Sequence, residues 1–284
     1  MELLLGKQVL SMDRSRVMGI LNITPDSFSD GGEFLSPDKA IAQAEVMLAD
    51  GADIIDVGGE STRPGADSIS LQEELDRIIP VIEQINSQLD VAISVDTSKP
   101  DVMRAAVAAG AVLINDVFAL RQDGAMDAAA ELGVVVCLMH MQGEPRSMQV
   151  APEYQELPRD IIDFLAGRID ACAAAGIDRN RIIVDPGFGF GKNDEHNLQI
   201  LANLHQLKEL RQPLLVGLSR KRMLGNLTGK AADQRVFAGI AAAVMAVAGG
   251  ANIIRTHDVA ATVDALKIAD AVRMSEWKPG RDNE

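Results

Sequence analysis

Short apolar, β-branched runs recur along the chain: VMGILN (17–22), DIIDVG (53–58), VAISVD (91–96), AVLIND (111–116), VVVCLMH (134–140), RIIVDPG (181–187), PLLVGLS (213–219) and ANIIRTH (251–257). Their interiors show no polar alternation, which marks strands buried on both faces, as in a parallel sheet covered by helices. Between them lie segments with apolar residues at helical spacing, such as SPDKAIAQAEVMLADGA, LQEELDRIIPVIEQINSQL and KPDVMRAAVAAGA, several closing on a glycine suited to end a helix. Eight β-α units predict a single closed (β/α)8 TIM barrel, with an open doubly wound sheet as the alternative. The opening ELLLGKQVLSM predicts a short hairpin under the barrel floor. No linker or composition shift interrupts residues 1–284, so one domain is expected.

Composition narrows the function. The chain carries a formal charge of −14 with no basic run, which argues against nucleic acid and anionic membrane as partners. Cys137 and Cys172 sit in apolar or alanine-rich surroundings and predict two buried free thiols in a reducing compartment. No Cys-His cluster has metal-site spacing. MELLLGKQVLSMD lacks the basic start of a signal peptide. FAGIAAAVMAVAGGANII predicts a helix packed in a core and then a strand, because a membrane span calls for ~20 strongly apolar residues. A soluble, cytoplasmic protein is expected.

Candidate chemistry gathers where the strands end, at Asn22, Asp56, Asp96, Asn115-Asp116, His140, Asp185, Ser219 and Arg255-Thr256-His257. Any one of these could be a helix cap or turn residue. In a barrel, however, all eight ends share the rim on which active sites are built. The cations fall late, at Arg220, Lys221, Arg222 and Arg255, where this fold commonly binds phosphate. Asn22, Asp26, Asp30 and Glu60 offer oxygens of the kind Mg²⁺ takes alongside phosphate and water. GFGFGK (187–192) fails the spacing of both glycine-rich phosphate fingerprints and reads as a closely approached strand-to-helix connection, with Phe188 and Phe190 available to a flat ligand. GLSRK is not a nucleophile elbow, since Lys221 stands where glycine is needed.

Seven strings, NITPDSFSDGG, DVGGESTRPGA, SVDTSKP, LMHMQG, DPGFGFGK, VGLSRK and RTHDV, in this order and spacing, resemble the dihydropteroate synthases of bacterial folate biosynthesis, over residues 17 to about 270. The resemblance implies a single-domain (β/α)8 barrel that condenses hydroxymethyl-dihydropterin pyrophosphate with p-aminobenzoate, is inhibited by sulfonamides and forms a homodimer; the alanine- and glycine-rich helix near 238–250 is a candidate for that packing. It implies pterin contacts at Asp96, Asn115, Met139, Asp185, Lys221 and Arg255, with Met139 equally readable as core. It implies p-aminobenzoate contacts at Phe28, Thr62, Pro64, Phe190, Ser219 and Lys221, and pyrophosphate contacts at Asn22, Arg63, Arg255 and His257. Asn22 and Asp30 are the implied Mg²⁺ contacts, and Asn22, Asp30, Arg63, Lys221, Arg255 and His257 the implied catalytic set. The implied mechanism is dissociative, pyrophosphate leaving before the amine attacks. NITPDSFSDGG then reads as a lid over residues 24–34, hinged at Gly31-Gly32, with Phe28 capping the p-aminobenzoate site.

Two rival readings remain. A pterin-binding methyltransferase barrel shares acidic pterin contacts but has no need for the pyrophosphate set. A barrel that only binds pterins gains little from Asn22, Asp30, Arg63 and His257.

Overall fold

The computed structural model describes residues 1–24, 37–61, 68–143, 148 and 152–275. β1 (Glu2–Leu5) and β2 (Gln8–Ser11) pair antiparallel as the expected hairpin. The barrel strands are β3 (Arg16–Asn22), β4 (Ile54–Gly58), β5 (Ala92–Asp96), β6 (Leu113–Asp116), β7 (Val135–Met139), β8 (Ile182–Asp185), β9 (Leu215–Gly217) and β10 (Ile253–Thr256). Each lies within the run that predicted it, apart from Arg16 at the start of β3. All pair in parallel in the order β8-β7-β6-β5-β4-β3-β10-β9. The ring closes between β8 and β9 through one bridge, Val184 to Leu214, with the Val184 N–H donating to the Pro213 carbonyl at 3.0 Å. The sheet is therefore a closed eight-stranded barrel.

Helices α1 (Pro37–Ala49), α2 (Leu71–Gln88), α3 (Pro100–Ala109), α4 (Ala125–Leu132), α5 (Arg159–Ala174), α6 (Asp194–Ala202), α7 (Arg222–Thr228), α8 (Val236–Gly249) and α9 (Val259–Met274) surround it. Local signals set their ends. The Ser70 hydroxyl caps α2 by accepting the Glu73 N–H, and Asn193 with His196 forms a reciprocal cap on α6. Each cap satisfies donors that a helix leaves unpaired.

Two cores follow from the two-residue period of a strand. Outward residues such as Val57, Val95, Ile114, Leu138, Val184 and Val216 pack under the helices. Inward residues Met18, Ile54, Ala92, Leu113, Val135, Ile183, Leu215 and Ile253 close the barrel floor together with hairpin Leu3, Leu5 and Leu10. The hairpin is thus a plug: it buries the lower layer and leaves the carboxyl ends for chemistry. Cys137 and Cys172 are free and buried.

The helix expected to pack in a core, α8, does so through one face only. Ala242, Ala243, Ala246 and Val247 are buried, but Phe237 is 80% and Met245 58% exposed, because α8 stands on the outer ring with only one face against the barrel. Among the described residues no helix is long and apolar enough to cross a membrane.

Candidate active site at the carboxyl rim

Above the apolar floor, the next inward positions are polar. Counting by two along each strand from the floor residues brings Asn22, Asp56, Asp96, Asn115, Asp185 and Arg255 onto the inner face. Room at this level comes from two inward glycines. Gly58 is paired between Asn22 and Asp96, and a Cβ there would meet Asp96 Cβ at 3.4 Å and Asn22 Oδ1 at 3.6 Å. Gly217 lies beside Arg255.

Arg255 organises the pocket. Its Nε donates to Asp56 Oδ2 at 2.6 Å and one Nη to Asp96 Oδ2 at 2.8 Å. Asn115 Nδ2 donates to the same Asp56 oxygen at 3.1 Å, which leaves the Asn115 carbonyl for a ligand donor. With its edge occupied by carboxylates, the guanidinium keeps its planar faces for a flat ring. The two acids hold its charge more firmly than in water. Asp56 is fully buried, and neither its Oδ1 nor the Oγ of Ser94, its neighbour across β4 and β5, has a protein partner among the described residues. Buried polar atoms are rarely left unmet, so these two suit a polar ligand or water on the floor of the pocket.

The other carboxylates are poised by burial. Burial raises the Asp96 carboxyl to about 7; Arg255 opposes the rise and nearby Asp56 reinforces it. Asp185 is raised by burial too, although its Oδ1 accepts the Gly187 N–H at 2.7 Å. Lys221 is held down to about 8 by burial, against the pull of Asp185, and its Nζ lies 4.4 Å from the centre of the Phe190 ring. Phe190 joins Met139, Val117, Met141, Met148 and Phe118 in an apolar cluster on the rim, so Met139 is both packed and beside the pocket.

After β9 and β10, Ser219 and His257 come together: the Ser219 Oγ accepts the His257 backbone N–H at 3.2 Å and lies 3.0 Å from its Nδ1. Arg220 adopts a left-handed backbone with φ 58°, turning the chain sharply between Ser219 and Lys221, the residue before α7.

The structure divides the expected strand-end set. Asp116, His140 and Thr256 point outward, because each follows an inward neighbour. Asp116 accepts the Phe118 and Leu120 N–H groups at 2.9 and 2.7 Å and shapes a turn. Thr256 bonds Thr262 behind the barrel. Arg220 pairs with Asp258 at 2.7 Å rather than facing a phosphate, and Arg222 is exposed on α7. Glu60 pairs with Lys99, which also holds buried Glu74. Phe28, Asp30, Thr62, Arg63, Pro64 and Asp26 lie outside the described residues, as does all but the first residue of the 24–34 lid.

Among the described residues no group of three or more His, Cys, Asp or Glu could hold a metal. Asn22 presents a hard amide oxygen at the mouth, which suits a cation that keeps most of its waters and takes the remainder of its shell from diphosphate. Sequence reasoning gave no role to Asp56, although it stands two residues before inward Gly58. It gave no role to Lys192 either, although Lys192 closes the GFGFGK segment.

Comparison with known proteins agrees with this geometry. Residues 18–257 match the pterin binding enzyme family. The chain is 50% identical over 271 residues to the dihydropteroate synthase of Haemophilus influenzae, covering 95% of this chain and 98% of that one. It superposes on a Yersinia pestis dihydropteroate synthase crystallised with a sulfonamide drug at TM-score 0.94 and 52% identity, covering 97% and 100% of the two chains. A Xanthomonas albilineans dihydropteroate synthase in complex with 7,8-dihydropteroate superposes at TM-score 0.88 and 48% identity, covering 97% and 100%. With an acidic pocket at the barrel mouth and matches spanning nearly its whole length, the chain belongs to the pterin-binding enzyme family, among its dihydropteroate synthases.

Proposed function

We propose that the protein condenses hydroxymethyl-dihydropterin pyrophosphate with p-aminobenzoate to give dihydropteroate and pyrophosphate, and that it is inhibited by sulfonamides. The observation that carries this reading is the inward set Asp56, Asp96, Asn115 and Asp185 around Arg255. A pterin presents an amino group and a ring N–H side by side, and the Asp185 carboxylate accepts both as a bidentate pair. Asn115 and Asp96 meet the remaining ring nitrogens, and Arg255 covers a face.

The reaction breaks the bond between the pterin methylene carbon and the diphosphate oxygen, and the electron pair leaves with diphosphate. We read the step as dissociative: the methylene cation forms beside three carboxylates that favour positive charge, and the arylamine nitrogen then attacks it and loses a proton. Asn22 and His257 hold the departing diphosphate, and outside the described residues Arg63 is assigned to the same task. Mg²⁺, held by Asn22 and, outside the described residues, Asp30, would neutralise charge on that group. Phe190 and Lys221 wall the p-aminobenzoate site, with Ser219 near its carboxylate; Thr62, Pro64 and Phe28 complete it in the segments not described.

Turnover settles the reading. The purified protein, given both substrates and Mg²⁺, should release pyrophosphate and form dihydropteroate, with a sulfonamide competing against p-aminobenzoate and chelation of Mg²⁺ slowing the rate. Folded, metal-supplied protein without turnover would sink it. With ¹⁸O in the bridging position, the dissociative step should scramble label into non-bridging oxygens before the amine adds; an unscrambled label refutes that order.

A homodimer through α8 and α9 is part of the same reading. Phe237, Met245, Ile268 and Val272 leave an apolar outer surface on these adjacent helices. Sedimentation should give twice the chain mass, and Met245→Arg should halve it. A cytoplasmic setting follows from the substrates and the reduced thiols.

A further inference from the structure

One buried side chain beside this site has no part in the reaction as proposed. Lys192 is 1% exposed, yet its Nζ lies 2.9 Å from His140 Nδ1, 2.9 Å from the Gly187 carbonyl, 2.9 Å from the Phe190 carbonyl and 3.3 Å from the His140 carbonyl. Among the described residues none of these acceptors is a carboxylate, so no ion pair explains the burial. Placing an amine here costs desolvation that a methionine of similar length would not incur. What the amine adds is linkage. His140 follows β7, whereas Gly187 and Phe190 follow β8, and one nitrogen ties the two connections together. The fit is close: a Cβ on Gly187 would sit 2.0 Å from the His140 carbonyl oxygen. The Tyr154 hydroxyl reinforces the tie by donating to the Gly191 carbonyl at 2.7 Å.

Each linked group touches the site. The Gly187 N–H orients the Asp185 carboxylate, the Phe190 ring carries Lys221, and His140 directly follows Met139. We propose that Lys192 is a positioning residue that fixes the spacing between the Asp185 edge and the Phe190–Lys221 wall, and thus between pterin and p-aminobenzoate. The proposal rests on the substrate assignment above. It leaves the diphosphate contacts at Asn22 and His257 untouched, because neither is reached by the lysine.

Wild-type turnover tests the substrate assignment, and Lys192→Met then tests the positioning role. In Lys192→Met, affinity for the pterin should fall and KM for p-aminobenzoate should rise, each by about fivefold or more, the scale of one hydrogen bond. Inhibition by pyrophosphate alone should stay within about twofold of wild type, as expected of a distant group. Adding Phe190→Ala should cost much less in Lys192→Met than in the wild type, and Lys192→Gln, which keeps two N–H donors, should restore part of the loss. Equal weakening of all three ligands, unchanged affinities or an additive cycle would overturn the proposal. So would failure of both variants to fold, since Lys192 would then be a core-stability group.

Discussion

Asp185→Asn isolates the contact proposed to recognise the pterin. Asp185 Oδ1 already accepts the Gly187 N–H at 2.7 Å. An asparagine keeps that bond only by turning its own oxygen to Gly187, which aims its NH₂ into the pocket. Two donors then face the amino group and ring N–H of the pterin, which are donors too. Both charge-assisted bonds are lost, at about 1.5–3 kcal/mol each, so roughly 3–6 kcal/mol of affinity should vanish, or about 10²- to 10⁴-fold in Kd. The fold should not suffer, because burial opposes the charged form of Asp185 and the amide removes that charge. Calorimetric titration of the variant with a pterin measures the loss, and a thermal melt checks the fold. A Kd within about threefold of wild type, with the fold intact, would refute the donor-edge contact.

Other perturbations bear on neighbouring groups. The half-buried Lys221 ammonium, held down to about 8, gives up its proton as pH rises through that value; kcat/KM should fall with an alkaline limb centred there, and Lys221→Arg should move the limb upward even while lowering the rate. A limb that stays in place in that variant would exonerate Lys221. Arg255→Met leaves Asp56 and Asp96 buried together without their cation, and urea unfolding should show a loss of about 3–5 kcal/mol, partly recovered by adding Asp56→Asn. Gly187→Ala meets both a positive φ of 68° and the 2.0 Å approach to the His140 carbonyl, and should destabilise by about 3 kcal/mol or more. Gly58→Ala, whose Cβ would meet nothing nearer than 3.4 Å, should fold normally and shrink the pocket. Equal melting temperatures for the two alanine variants would contradict the glycine geometry.

The strands were legible because their cue is local: a β-branched run bounded by turn residues, and an inner and outer face both apolar below the rim. What that cue does not encode is which member of an adjacent polar pair turns inward. Asn115 and Asp116 look alike as a pair at a strand end, yet one enters the pocket and the other ties a turn. Only the ring, which decides inside from outside for all eight strands at once, separates them. Arg220 was misleading for a backbone reason, since a left-handed residue redirects the side chain toward Asp258. Lys192 gives no local cue, because a lysine closing a glycine-rich turn looks like a solvent-exposed end until the β7 and β8 connections fold over it. Composition placed α8 against a core but did not show that only one face is covered, because alanine- and valine-rich helices look the same either way.

The closure between β8 and β9 has a consequence for how the two substrates meet. Every other neighbouring pair of staves shares a run of partners, but this one is joined by a single bridge beside Pro213, which has no N–H to give to a ladder. Asp185 and Met139 stand on one bank of that seam, and Ser219, Lys221 and Arg255 on the other. The gap between the banks is therefore the softest coordinate of the barrel, and amide exchange at Val184 should outpace that in the middle of β4. The bicyclic ring, as proposed, is held partly across the seam, by Asp185 on one bank and Arg255 on the other, and partly away from it, by Asp96 on β5 and Asn115 on β6. Among the described residues the smaller aromatic amine has its proposed contacts only beside the seam, at Phe190 on one bank and Ser219 and Lys221 on the other, so substitutions at 213–217 should change its fit more than that of the first substrate.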